Sequence, residues 1–211
     1  MTIQIIQLPL GPLQTNCYIV ACTTTKKAAV VDPGWDGRAI LNQVEQRGWN
    51  ISHILLTHTH FDHVGGLSEL KERSAAPIYV HADATMMLEY APAAAAMWGF
   101  SVDPPPAPDM FISDGDIIEI GELRAAVLFT PGHAPGHVCF YLADQQVLFD
   151  GDVLFQGSIG RTDLPGGEYE LLMRSIHDKV MTLPDETAVL SGHGPATTIG
   201  AERYSNPFLL E

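Results

Sequence analysis

A short segment rich in histidine and aspartate carries the strongest chemical signal in the sequence. It reads Thr57-His-Thr-His-Phe-Asp-His63 and follows an apolar run that is predicted to form a strand. His58 and His60 stand two positions apart, so an extended backbone places both side chains on one face. Imidazole nitrogens and carboxylate oxygens bind divalent transition metals, and burying them without a partner is costly. The segment therefore predicts a metal site where a strand meets a loop.

Three later segments offer further metal ligands. They are Thr130-Pro-Gly-His-Ala-Pro-Gly-His137, Phe149-Asp-Gly-Asp152 and Ser191-Gly-His193. Each follows a predicted strand and contains glycine, which allows the backbone to approach a ligand closely. Together with the first segment they exceed the roughly four ligands of a closed structural zinc site. We therefore expect two metal ions about 3.5 to 4 Å apart, with coordination positions open to water.

Hydrophobic periodicity predicts the elements that must position these side chains. Strands and helices alternate along the chain without a repeat or a linker, which indicates one α/β domain over residues 1–211. The predicted helices lie near 37–47, 65–74 and 168–181. The predicted strands lie near 3–8, 16–22, 28–31, 51–57, 78–80, 117–120, 123–130, 137–142, 147–150 and 187–191.

The segment 91–109 differs from the rest of the chain. Four of its prolines fall within residues 104–108, and proline cannot donate a hydrogen bond to a sheet. This composition predicts an extended excursion over the surface. Met97, Trp98 and Phe100 either line a cleft from this segment or pack it onto the body of the protein.

Composition excludes several classes of function. The chain has 11 Lys and Arg against 25 Asp and Glu, a formal net charge of −14 that opposes nucleic acid and anionic membranes as partners. Its apolar runs are too short to cross a membrane, and the first residues do not read as a signal peptide, so we expect a cytoplasmic protein. The three cysteines form no CxxC pair, which argues against a disulfide framework. A monomer or a small homo-oligomer is expected.

The ordered motifs THTHFDH, TPGHAPGH, DGD and GHG resemble those of the metallo-β-lactamase-fold hydrolases. Two further stretches, GSIGRTDLPGG from residue 157 and ERYSNPFL from residue 202, look like the short type II glyoxalases, also called hydroxyacylglutathione hydrolases. The resemblance covers essentially the whole chain. It implies a four-layer αββα sandwich of the α/β (α+β) class with the metals at one edge. It also implies a single domain without the additional C-terminal helical domain of longer type II glyoxalases.

The resemblance also implies how the metal ligands are shared. One metal is held by His58, His60 and His133, and the other by Asp62, His63 and His193. Asp152 bridges both metals. Its carboxylate would offset the repulsion between two dications.

Three neighbouring residues receive other expectations. His137 matches a motif histidine that is not a ligand, so we expect it to support the site from behind. Asp32 ends a predicted strand and is expected to orient a metal-bound imidazole, with Asp-Pro-Gly turn chemistry as the alternative. Asp150 shares the predicted strand phase of Asp152, and only the resemblance selects Asp152.

By the resemblance, the chain hydrolyses a thioester. A metal-bound hydroxide attacks the carbonyl of a hydroxyacylglutathione such as S-lactoylglutathione, while Asp62 and Asp152 anchor the metals and accept a hydrogen bond from the nucleophile. Zinc is the expected metal, with iron and manganese as alternatives. Arg161 is the candidate for binding a substrate carboxylate, and a salt bridge to Asp163 is the competing interpretation.

Two other interpretations stay open. A glutathione-persulfide dioxygenase shares the fold and needs a single iron, here on His58, His133 and Asp152. A metal-stabilised binding protein would load metal without turnover. Oxygen uptake and thioester turnover would separate these classes.

Overall fold

The computed structural model describes residues 3–210 and places two six-stranded sheets at the centre of the molecule. The first sheet has the strand order β1-β2-β3-β4-β5-β6. Its strands are β1 (Ile3–Leu10), β2 (Thr15–Cys22), β3 (Lys27–Val31), β4 (Asn50–Leu55), β5 (Ile78–His81) and β6 (Met110–Ile112).

The second half of the chain forms the other sheet and a small hairpin. The elements are β7 (Ile117–Ile120), β8 (Leu123–Phe129), β9 (Val138–Leu142), β10 (Val147–Gly151), the hairpin β11 (Leu154–Phe155) and β12 (Ser158–Ile159), β13 (Ala188–Ser191) and β14 (Thr197–Thr198). The order in the second sheet is β14-β13-β10-β9-β8-β7.

Helices cover the outer face of each sheet. They are α1 (Gly37–Gln46), α2 (Phe61–Val64), α3 (Leu67–Ser74), α4 (Thr85–Met97), α5 (Tyr169–Asp178) and α6 (Ile199–Ser205). One apolar cluster joins α1, α3 and α4 to the first sheet, a second fills the space between the sheets, and a third joins the second sheet to α5 and α6. These clusters confirm the expected αββα sandwich.

Strand direction brings the candidate metal ligands to one edge. The pairs β3–β4 and β4–β5 are parallel, so these strands end on the same side of the first sheet. In the second sheet β10 and β13 are parallel. Strand β8 runs in the same direction as β10, because both are antiparallel to β9. The motifs that follow β4, β8, β10 and β13 meet at the same edge of the sandwich, where their side chains contact one another across the two sheets.

The prediction of an extended excursion over 91–109 is wrong for its first seven residues, which complete helix α4. Alanine has the highest helix propensity, and the alanine run outweighs the missing amide of Pro92. Ala91 and Ala95 are buried against the first sheet. Residues 101–108 have no regular structure, as the prolines predict.

Other elements were absent from the sequence prediction. They are β6, the hairpin β11–β12, β14, α2 and α6, each seven residues long or shorter. Such short elements carry little periodicity. The three cysteines are buried free thiols. Within residues 3–210, none of the helices is long and apolar enough to cross a membrane.

Candidate metal centre

Two groups of three side chains converge at the edge where these strands end. The first ligand group is His58, His60 and His133, and the second ligand group is Asp62, His63 and His193. In each group the candidate ligand atoms lie within 4.8 Å of one another. These are the two sets that the resemblance implies, and their function as ligands stays a prediction.

The first ligand group is compact, with His58 and His133 buried and His60 partly buried. His133 Nε2 lies 2.9 Å from His60 Nδ1. The His58 ring meets those of His60 and His133 edge-on, at centroid distances of 4.7 and 4.9 Å. Both segments that carry these histidines follow strands, but they come from different sheets.

The second ligand group contains the carboxylate. His193 Nε2 lies 3.1 Å from Asp62 Oδ2, and His63 Nε2 lies 3.7 Å from the same oxygen. Asp62 and His63 belong to the short helix α2, which directly follows His60. The segment 58–63 therefore supplies two side chains to each group.

Asp152 stands between the two groups. Its Oδ1 lies 3.4 Å from His63 Nε2, and its Oδ2 lies 3.6 Å from His133 Nε2 and 3.7 Å from His193 Nε2. A carboxylate that bridges two metals requires this placement.

Three polar atoms at this edge show that the cluster fits divalent metals. His58 Nε2, His63 Nε2 and Asp152 Oδ1 are buried and have no hydrogen-bond partner among residues 3–210. Buried polar atoms normally have a partner, and leaving one without costs free energy. The three atoms point into a cluster of nitrogen and oxygen donors, the ligand chemistry of zinc, iron or manganese.

Charge and burial set the protonation of the ligands. Burial, reinforced by His133, lowers the pKa of His60 to about 3, and burial lowers the pKa of His58 well below its usual value. Burial alone would raise the pKa of Asp62, but His63 and His193 hold it at about 2. His58 and His60 are thus neutral and Asp62 is ionised, as metal ligands must be.

Asp32 lies behind the second ligand group. Its Oδ1 accepts the backbone N–H of Thr57 at 2.8 Å, and its Oδ2 accepts the Thr57 hydroxyl at 2.6 Å. The same Oδ2 lies 3.0 Å from His63 Nδ1. Asp32 thus has the contacts that an imidazole-orienting role requires, although its oxygens also complete the set Asp32, His58 and His63 within 4.8 Å.

His137 is buried beside the first ligand group and belongs to neither group. Its ring stacks on His58 with a centroid distance of 5.0 Å. Nδ1 lies 3.0 Å from the Thr130 hydroxyl, and Nε2 accepts the backbone N–H of Asp152 at 3.2 Å. Both ring nitrogens are engaged by the protein, which leaves neither for a metal.

Arg161 contacts the site through its backbone. Its carbonyl oxygen lies 2.8 Å from His133 Nδ1. Its guanidinium donates two hydrogen bonds of 2.7 Å to the carboxylate of Asp163, and about half of the side chain is exposed. The salt bridge that competed with substrate binding is therefore present in the structure.

Asp150 does not share the orientation of Asp152, so that part of the sequence prediction is wrong. The register between β10 and β13 shifts between Phe149 and Gly151, where Gly151 has a φ of +56°. Asp150 therefore turns away from the ligand groups and accepts the N–H of Leu154 at 2.6 Å. Burial raises its pKa to about 8.

Three residues of β2 were missed by the sequence analysis. The Thr15 hydroxyl donates to Asp62 Oδ2 at 2.9 Å. The amide of Asn16 and the hydroxyl of Tyr18 donate to the loop that carries His193. All eight residues of β2 are buried, and the polar Thr-Asn pair at the start of such a strand was the available signal.

Comparison with known sequences agrees with this geometry. A family model described as "Metallo-beta-lactamase superfamily" matches residues 10–193. The Bacillus subtilis (strain 168) protein "Probable metallo-hydrolase YqgX" is 42% identical over 205 residues, covering 96% of each chain. The Haemophilus influenzae (strain ATCC 51907 / DSM 11121 / KW20 / Rd) protein "Hydroxyacylglutathione hydrolase GloC" is 39% identical over 211 residues, covering 99% of this chain and 98% of the relative.

Solved structures show the same fold. The BLEG-1 B3 metallo-beta-lactamase superposes with a TM-score of 0.93 at 42% identity, covering 99% of this chain and 100% of that one. TTHA1623 in a di-iron-bound form gives 0.89 at 41%, covering 97% and 100%. ETHE1 from Myxococcus xanthus gives 0.80 at 28%, covering 97% and 83%.

Proposed function

The chain belongs to the metallo-beta-lactamase superfamily, and from that premise we propose that it is a dimetal thioester hydrolase acting on a hydroxyacylglutathione. The observation that carries the proposal is the pair of complete three-ligand groups with Asp152 between them. A single closed structural metal would use only one of these two groups as ligands.

In this proposal the first ligand group would hold one divalent metal, the second ligand group would hold the other, and Asp152 stands between them. Metals held in this way supply Lewis acidity toward a carbonyl oxygen and lower the pKa of water. The protein contributes imidazoles and ionised carboxylates at fixed positions, and the imidazoles of His58 and His60 are already neutral. Zinc is the metal we propose, and the di-iron form of TTHA1623 makes iron the main alternative.

Residues around the two groups orient the proposed metal ligands, and the metals would supply the reactive chemistry. Asp32 and Thr57 hold His63 and His58 from behind, and the Arg161 carbonyl oxygen holds His133. The described cysteines are all buried, so none is placed to act as a nucleophile. Asp62 and Asp152 anchor the metals and are placed to accept a hydrogen bond from an attacking water.

The substrate assignment rests on the similarity to the protein named hydroxyacylglutathione hydrolase GloC, which extends over nearly the full length of both chains. Arg161 is the proposed contact for a glutathione carboxylate. Its guanidinium is paired with Asp163, so the substrate carboxylate would have to displace or share that partner. We propose a small-molecule thioester as the partner, and the net charge of −14 argues against nucleic acid.

Turnover of S-lactoylglutathione by zinc-loaded protein tests the proposal. Asp152→Asn and His58→Ala should each lower kcat/KM at least about 100-fold, because each removes a metal contact. Asp144→Asn is the matched control, since Asp144 lies in the turn before β10, at the opposite end of that strand. Unchanged turnover in both site variants, or no turnover by the wild-type protein, would contradict the proposal.

A glutathione-persulfide dioxygenase is the second candidate function. The contacts of His133 with the His58 ring and with Asp152 favour it, because these three residues are the ligands that such an enzyme needs for its iron. That reaction needs one iron, whereas the second ligand group is also complete. Oxygen uptake with glutathione persulfide by iron-loaded protein, combined with absent thioester turnover, would support this candidate over the first.

A further inference from the structure

The end of β2 nearest the metal centre contacts the second ligand group directly. The Thr15 hydroxyl donates to Asp62 Oδ2 at 2.9 Å. The same oxygen lies 3.1 Å from His193 Nε2. Thr15 is about 1% exposed, so water cannot easily replace its hydroxyl.

The next residues of β2 fasten the loop that carries His193. Asn16 Nδ2 donates to the carbonyl oxygens of Ser191 and Gly194, both at 2.9 Å, and its backbone N–H donates to Gly192 at 2.7 Å. The Tyr18 hydroxyl donates to Ser191 at 2.7 Å. These bonds flank His193 on both sides.

This loop needs external support because glycine precedes and follows His193. Glycine has a larger conformational freedom than other residues, so a free loop would lose more entropy when His193 binds a metal. The bonds from β2 fix the loop before the metal arrives. A ligand that is already in place binds more tightly.

The first ligand group is held by other parts of the chain. His133 Nδ1 lies 2.8 Å from the Arg161 carbonyl oxygen, and His58 Nδ1 lies 3.0 Å from the Thr57 hydroxyl. Among residues 3–210, no hydrogen bond recorded for a β2 side chain reaches His58, His60 or His133. The hydrogen bonds from β2 therefore support the second ligand group alone, whereas Asp32 and Thr57 contact His63 and His58 and so join the two groups.

We propose that Thr15, Asn16 and Tyr18 are positioning residues that set the affinity of the second metal independently of the first. Whether the chain loads one metal or two then depends on β2, a strand that supplies no ligand. The inference rests on the two-metal part of the proposed function and not on the thioester substrate.

Metal binding, rather than activity, tests this inference. Thr15→Val and Tyr18→Phe remove one hydroxyl each and keep the shape of the side chain. The bound zinc of each variant is measured by elemental analysis across a series of chelator-buffered free zinc concentrations, with thermal unfolding of the metal-free protein as a check on folding. We expect the second equivalent to bind about 10- to 100-fold more weakly and the first to change less than about twofold.

Two further variants sharpen the test. Thr15→Ser keeps a hydroxyl and should restore the second equivalent to within about threefold of wild type. Tyr141→Phe is the control for Tyr18→Phe, because Tyr141 lies on β9 and packs against the apolar cluster between the second sheet and helices α5 and α6. It should leave both equivalents unchanged.

Equal weakening of both equivalents in Thr15→Val and Tyr18→Phe, or no weakening of either, would overturn the inference. A wild-type protein that binds one zinc would overturn it together with the two-metal part of the proposed function. Two bound zinc ions with no thioester turnover would instead contradict the proposed substrate alone, and the binding pattern of the variants would still decide the inference.

Discussion

Asp32 links the backbone of the segment that follows β4 to the side chain of His63. One carboxylate oxygen accepts the Thr57 N–H, and the other contacts both the Thr57 hydroxyl and His63 Nδ1. A carboxylate in this position fixes the tautomer of the imidazole and makes its other nitrogen a better ligand. Asp32 itself has a left-handed backbone with a φ of +50°, which Asp tolerates better than most residues.

At the residue scale we predict that Asp32→Asn weakens metal binding about 10- to 100-fold. Asparagine has one oxygen instead of two, so it cannot keep all three contacts of the carboxylate. Zinc affinity by chelator competition measures the effect. Asp36→Asn is the matched control, because Asp36 caps helix α1 and asparagine caps equally well. Affinities that agree within twofold for both variants would contradict this role of Asp32.

At the scale of elements, the irregular end of β10 decides which aspartate enters the site. The register shift at Gly151 turns Asp152 toward the ligand groups and Asp150 into the interior. A Cβ at Gly151 would lie 2.5 Å from the Thr57 hydroxyl oxygen and 2.6 Å from His137 Nε2. The space at this bulge is therefore available only to glycine.

We predict that Gly151→Ala destabilises the metal-free protein by more than about 2 kcal/mol, since strain and steric overlap add. Gly157→Ala is the control, because Gly157 has a φ of +68° but no atom within 4 Å of a built Cβ. It should cost only about 1 kcal/mol. Denaturant unfolding of both variants gives the comparison, and equal losses would show that overlap at the bulge contributes nothing.

At the scale of the whole molecule, the acidic chain encloses a cluster of histidines with unusual protonation. The formal net charge is −14, yet burial lowers the pKa of several histidines at the metal edge. Two dications would reduce the formal negative charge and give the edge a local positive character. An anionic thioester would approach this edge in preference to the remaining acidic surface.

We predict that the metal-free protein loses stability as the pH falls from about 6 to about 5. Burial lowers the pKa of five histidines below 6.5, so the unfolded chain binds protons in this range that the folded chain does not bind. His63 and His193 have raised pKa values and are protonated in both states at this pH. Asp150 has a pKa of about 8 and holds a proton in this range only in the folded state, so it opposes the loss of stability. It is a single group, whereas five histidines contribute to the loss.

Denaturant midpoints of chelator-treated protein at the two pH values measure this change. An equal or higher midpoint at the lower pH would contradict the prediction. The five histidines are His53, His58, His60, His133 and His137.

The sequence by itself determined the fold class, most of the long strands and helices, and the segments that carry the candidate ligands. The division of those ligands into two sets came from the resemblance to a known family. These features have local signals, because periodicity marks an element and dense His and Asp residues after a strand are rarely explained by packing. The C-terminal ends of parallel strands then have to meet at one edge. The motifs after β4, β8, β10 and β13 were found because each places His or Asp directly after a predicted strand.

Only the tertiary structure decided what holds these residues in place. Asn16 contacts Ser191 across 175 positions of sequence, and Thr15 contacts Asp62 across 47, and such pairs leave no local pattern. The bulge that separates Asp150 from Asp152 depends on space next to Thr57 and His137. In helix α4, the burial of Ala91 and Ala95 against the first sheet adds to the helix propensity of the alanine run, and together they outweigh the local effect of Pro92. Ligand chemistry is encoded locally, whereas the positioning of ligands depends on contacts that exist only in the folded chain.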